Sequence, residues 1–275
     1  MGKTLVLCGK NSSVSDIKTM LKHIQFSQDD KLYLIGGMTD SKNRDSFVSF
    51  INEQQNIIYI MDDMDVFCFY YLYCKKMKAD KPSEPVYRQK KDMLSKMAAV
   101  RKVAPVLEWA ESCESNLFRF YQGTYYEKIV YCGGFSYYIS NGIRPAKKTE
   151  SADRREELPD DIVLFEDALK VAEEKPDYRK FYYFRLRQGD VEGVYAFDQK
   201  LSSEESVSKD IRYMPVITAA VATGKLIKKG RETMPVVDTG NVINVYTGGT
   251  YGKSEDGMKG TLSCIDLFEG GIVSL

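Results

Sequence analysis

Three carboxylates, Asp62, Asp63 and Asp65, stand directly behind the apolar run Ile57-Ile58-Tyr59-Ile60-Met61. Carboxylates this close repel one another unless a positive charge shares their space. A hard divalent cation, Mg2+ or Mn2+, is the usual partner, because it takes oxygen ligands and bridges to phosphate. The expected metal ligands are therefore Asp62, Asp63 and Asp65, with Asp63 and Asp65 as the pair that would serve catalysis. The competing expectation is a strand followed by a solvated acidic turn.

A second group would meet phosphate. Gly9, Lys10, Ser12 and Ser13 lie between an apolar run and a helical pattern, where main-chain amides at a helix start can bind an anion. The stretch is not a Walker motif, since Asn11 stands where Ser or Thr must follow the lysine. Arg185 and Arg187 alternate along an expected strand and so share one face. They complete the expected phosphate contacts.

The only histidine, His23, removes multi-histidine metal sites and leaves little room for Ser-His-Asp or Cys-His catalysis. Acid–base work would fall to carboxylates, lysines, tyrosines or metal-bound water. Lys+Arg and Asp+Glu both number 39, so no global basic field advertises nucleic acid or anionic lipid. No apolar run reaches the length of a membrane span, and Leu5-Val6-Leu7 is too short for a signal-peptide core. The six cysteines form no CxxC pair, which points to free thiols and a cytoplasmic setting.

The elements that must hold these residues read as strand–helix–strand–helix–strand. Strands are expected over 4–8, 32–35 and 57–61, with amphipathic helices over 14–24 and 43–53. Short links between them mean a parallel sheet. Its strand ends would gather the Gly9 turn, the Gly36-Gly37 turn and the acidic cluster on one edge. The expected class is α/β: a parallel-sheet, Rossmann-like N-terminal unit over 1–80, then a mixed α+β region over 81–275, with one continuous domain as the alternative. In the second region the expected features are a helix over 86–113 interrupted by Pro105, a strand over 127–134 and a helix over 163–174. A hairpin over 181–197 and a strand over 242–246 follow, the strand leading into Thr247-Gly248-Gly249-Thr250.

In its order of elements the segment from Thr4 to Asp65 resembles a Toprim domain, the metal-binding module of primases, topoisomerases and several small nucleases. Leu5-Val6-Leu7-Cys8-Gly9-Lys10 matches the first strand in shape, Leu32 to Gly37 the second, and Ile58 to Asp65 the Asp-x-Asp strand. The resemblance implies a Mg2+-dependent protein acting on nucleic-acid phosphodiesters, such as a defence-type nuclease, with nucleic acid or a nucleotide as partner. It departs from the family at Cys8, where the family glutamate would stand, and a thiol is no substitute for a hard-metal ligand. Asp63-Met64-Asp65 also looks like the Asp-x-Asp of nucleotide-sugar glycosyltransferases. A third expectation, favoured by Cys8, is a non-catalytic binding or assembly subunit with a protein partner. The sequence leaves the oligomeric state open.

Overall fold

The computed structural model describes residues 2–62, 64, 65, 68, 72, 104–125, 127–141, 215–219, 222, 223, 231–238, 242–253 and 257–275. The expected helix over 163–174 and hairpin over 181–197 lie outside them, as do Asp63, Arg185 and Arg187.

The α/β class holds. Strands β1 (Thr4–Cys8), β2 (Lys31–Ile35) and β3 (Ile57–Ile60) alternate with helices α1 (Val14–His23) and α2 (Arg44–Glu53). β1 pairs parallel with β2, Thr4 against Lys31 through Cys8 against Ile35, and β2 pairs parallel with β3. Their near-continuous apolar character has a simple cause, since a parallel strand is covered on both faces. Leu5, Leu7, Leu32, Leu34, Ile57 and Tyr59 face the helical layer. Val6, Cys8, Tyr33, Ile35 and Ile60 face the other way.

That other face is covered by a second sheet. Helices α3 (Ala104–Ser112) and α4 (Glu114–Gln122) precede β4 (Glu127–Cys132) and β5 (Phe135–Ser140), an antiparallel hairpin. β6 (Val216–Thr218), β7 (Val237–Asp238) and β8 (Val242–Asn244) complete the order β4-β5-β6-β8-β7, in which β5, β6 and β8 run parallel. Val130, Ile139, Ile217, Ala219 and Val245 from this side fill the core between the sheets. Pro105 is the second residue of α3; the part of the expected 86–113 helix that precedes Ala104 lies outside the described residues.

The first sheet does not end with the N-terminal unit. β9 (Ser263–Asp266) pairs antiparallel with β1, and β10 (Ile272–Ser274) pairs with β9, giving the order β10-β9-β1-β2-β3. The last residues of the chain therefore share a sheet with the first. No described helix is long and apolar enough to cross a membrane.

Candidate functional site at the strand ends

The ends of β1, β2 and β3 meet the ends of β5, β6 and β8, and Lys10 is the residue that joins them. It leaves β1 almost buried, with 8% of its surface exposed. Its ammonium donates to the side-chain carbonyl of Asn141, one residue past β5, and to the main-chain oxygen of Ala219, one residue past β6, at 3.0 Å. The same ammonium lies 5.5 Å from the ring centre of Tyr246, two residues past β8. Asn11 beside it donates through its side chain to the Tyr246 hydroxyl. Ends of open α/β strands are where ligands of such sheets usually sit. Here one lysine reaches across that edge to the second sheet.

Gly249 closes this junction. Its φ of +68 is left-handed backbone that disfavours any side chain. A Cβ there would lie 2.2 Å from the Lys10 carbonyl oxygen and 2.6 Å from that of Asn11. Tyr251 N–H donates to the Asn11 carbonyl at 3.0 Å, so the glycine-rich turn after β8 is stitched onto the turn after β1.

The amides of the Gly9–Ser13 turn are largely occupied by the chain itself. Ser13 caps α1, its Oγ accepting from Asp16 N at 3.1 Å, while Asp16 Oδ2 accepts from Ser13 N at 2.9 Å. Ser12 N donates to the Gly9 carbonyl at 3.2 Å. Asp16 Oδ2 also takes the Thr250 hydroxyl at 2.8 Å. Burial raises the Asp16 carboxyl, but hydrogen bonds from Ser13, Thr250 and Tyr251 outweigh it and hold it below its usual range. The negative charge that a helix start favours is thus supplied by Asp16.

The acidic residues divide between two tasks. Asp65 is fully buried, and its Oδ2 accepts the Tyr59 hydroxyl at 2.7 Å and the Asp62 N–H at 3.0 Å. Its other oxygen has no hydrogen-bond partner among the described residues. Burial first, and the charge of Asp62 second, push its carboxyl well above the ordinary range. Asp62 Oδ1 accepts from Met64 N at 2.9 Å and Asp65 N at 3.0 Å, capping the turn that follows β3. Its Oδ2 packs on Gly36, where an added Cβ would lie only 2.6 Å away. Asp62 and Asp65 are thus brought together, but through the chain's own donors.

Asp40, which the sequence reading did not single out, belongs to the same junction. Desolvation of its carboxyl first, and the charge of Asp62 second, push it up to about 6, while Lys10 and Arg44 pull it down. Its side chain still reaches solvent. Asn141, Ala219 and Tyr246 were missed as well. Tyr246 carried a faint signal, a tyrosine between a strand and a glycine-rich turn. Asn141 and Ala219 carried none, because their role is defined only by where Lys10 arrives.

Of the expected metal ligands, Asp62 and Asp65 are described and Asp63 is not. Cys8, at the position of the Toprim glutamate, is buried against the second sheet with its thiol pushed up to about 12 by desolvation. Asp65 faces Tyr59 and not the junction. Among the described residues no group of three or more His, Cys, Asp or Glu is arranged to hold a metal ion.

No family model matches the chain, and no curated protein matches it. Among solved structures the chain is similar to a protein carrying the provisional description of a diadenosine tetraphosphatase, at 10% identity and a TM-score of 0.45, over 100% of this chain and 93% of that one. It is also similar to a hypothetical protein from Pyrococcus horikoshii OT3, at 9% identity and a TM-score of 0.48, over 100% of this chain and 87% of that one. Identity this low says nothing about side chains.

Proposed function

We propose that the chain is a non-catalytic binding or assembly subunit whose strand-end junction is organised by its own lysine. The observation that supports this reading is the Lys10 ammonium, bonded to Asn141 and Ala219 and close enough to Asp40 to pull its carboxyl down. A carboxylate calls for a cation, and here a covalently attached one acts on Asp40. Asp65, an acid that a metal mechanism would require, is buried with its carboxyl pushed up by desolvation and spends one oxygen on Tyr59 and Asp62. The five described cysteines are free, which suits a reducing cytoplasm.

The test is a thermal-stability titration with Mg2+ and Mn2+. The proposed reading expects no shift in wild type, and none in Asp63→Asn/Asp65→Asn. A protein that holds either ion would gain about 2.7 kcal/mol at a hundredfold excess over its dissociation constant. Such a gain in wild type, lost in the double variant, would overturn the non-catalytic reading in favour of metal-dependent phosphodiester or nucleotide-sugar chemistry.

A further inference from the structure

We propose that Lys10 and Asn141 condense to an intramolecular isopeptide bond, Nζ to Cγ, which joins the turn after β1 to the end of β5.

The two side chains already meet. The Lys10 ammonium donates to Asn141 Oδ1. The amine therefore stands beside the carbonyl group it would attack, and its hydrogen bond polarises that carbonyl. Asn141 Nδ2 is the group that would leave. It has no hydrogen-bond partner among the described residues, although Asn141 is only 1% exposed. A buried amide nitrogen without an acceptor calls for an explanation in a native fold.

Both partners are held from behind. Tyr251 N–H donates to the Asn11 carbonyl, and Gly249 packs on the Lys10 carbonyl, so the turn after β1 is fixed. Thr218 Oγ1 donates to the Asn141 carbonyl at 3.0 Å and ties that residue to β6. Groups fixed against each other in this way can react as if at an effective concentration of about 10⁵ M or more. The Tyr246 ring lies beside the amine, and the burial of Asn141 keeps water from competing for its carbonyl carbon.

The atoms balance without a further reactant. A lysine attacks only as the free amine. Lys10 acts on Asp40, and the Asp40 side chain reaches solvent, so its carboxylate can take one ammonium proton and pass it on. The Nζ lone pair then forms the bond to Cγ. The Cγ–Nδ2 bond breaks, its electron pair leaving with the nitrogen. A second proton from Nζ goes to Nδ2, ammonia departs, and it picks up the first proton in solution. A charged lysine and a primary amide have become one neutral secondary amide. The contacts described above are those of the unreacted pair; the bond, once formed, replaces that charge and locks the first sheet to the second.

Intact mass, measured under denaturing conditions on full chain that has been kept folded at neutral pH, tests the proposal. Wild type should become lighter than its sequence by one ammonia. A protease digest should give a branched peptide joining Lys10 to Asn141. Asn141→Asp should give the same branch with loss of one water. Asp40→Asn should slow the loss by about a hundredfold or more. Lys10→Met, and wild type held unfolded in urea, should keep the full sequence mass. Asn141 precedes Gly142, and a succinimide at that pair would shed the same ammonia. It would leave only unbranched peptides and would persist in Lys10→Met, and that result would overturn the proposal. So would a folded wild type that keeps its full mass, or an undiminished rate in Asp40→Asn. If Lys10→Met fails to fold, the branched peptide decides.

Discussion

The Tyr59 hydroxyl donates to Asp65 Oδ2 at 2.7 Å, and the Met38 N–H donates to that hydroxyl at 3.2 Å. A chain of hydrogen bonds thus runs from the turn after β2, through a core tyrosine on β3, to the acid six residues on. Tyr59 also packs against Phe47 and Phe120, with ring centres 5.9 and 5.3 Å away. Asp65 is therefore anchored in the helical-side core and does not line a surface.

Breaking that chain should cost stability in a graded way. Tyr59→Phe strands the Met38 N–H and one Asp65 acceptor, and should lose about 1–3 kcal/mol in urea unfolding. Asp65→Ala also strands the Asp62 N–H and empties the space, so its loss should exceed that of Tyr59→Phe. Asp65→Asn keeps an oxygen for both donors and should fall closest to wild type. A larger loss for Asn than for Ala would contradict this assignment.

The same acid sets a pH dependence. The folded state holds the Asp65 proton above the carboxyl's ordinary value of 3.8, so it binds more protons than the unfolded chain. Stability must then fall as pH rises from that value upward. Asp65→Asn should flatten this decline, giving wild type the advantage only at low pH. Unfolding midpoints between pH 4 and 8 would check it.

Asp40 should act in the same direction over a narrower window. Its carboxyl is raised from 3.8 to about 6, so its unfavourable contribution is absent below the first value and complete above the second. Asp40→Asn should be more stable than wild type at pH 7.5 and equal to it near pH 3.8. The difference should be modest, because the side chain reaches solvent and its interactions are screened. Equal stability at both pH values would remove Asp40 from the junction.

Lys10→Met keeps the aliphatic stem and deletes the ammonium. Asn141 and the Ala219 carbonyl lose their donor, and Asp40 loses a nearby positive charge. The expected loss is about 1–3 kcal/mol, for buried acceptors left without their donor. It should be smaller at pH 5 than at pH 8, since protonating Asp40 relieves part of the imbalance. A pH-independent loss would mean that only packing and neutral hydrogen bonds are involved.

Gly249→Ala should destabilise through backbone alone. The position combines left-handed φ with two main-chain oxygens that the methyl would strike. The conformational part costs about 1–2 kcal/mol and the clash adds to it. Gly257→Ala, with a φ of +82 but nothing within 4 Å, provides the control. If both glycines respond equally, the contact with the Lys10 turn carries no energy.

The sequence by itself determined the alternating strands and helices from Thr4 to Ile60 and their parallel pairing. Those features are local: short apolar runs, a helical apolar period of 3.6, and links too short for any other arrangement. It also singled out Lys10 and the acids after β3 as chemically significant. What it could not give was the direction in which those side chains point. Lys10 finds its acceptors 131 and 209 residues away, and no local pattern encodes a meeting at that separation. Asp65 looked like a strand-end ligand, yet the turn capped by Asp62 rotates it toward Tyr59 and the core. The N-terminal unit looked complete after three strands, yet β9 and β10 from the far end extend its sheet. Each of these was decided by tertiary structure, because burial, and with it protonation and pairing, depends on what the rest of the chain brings to the same place.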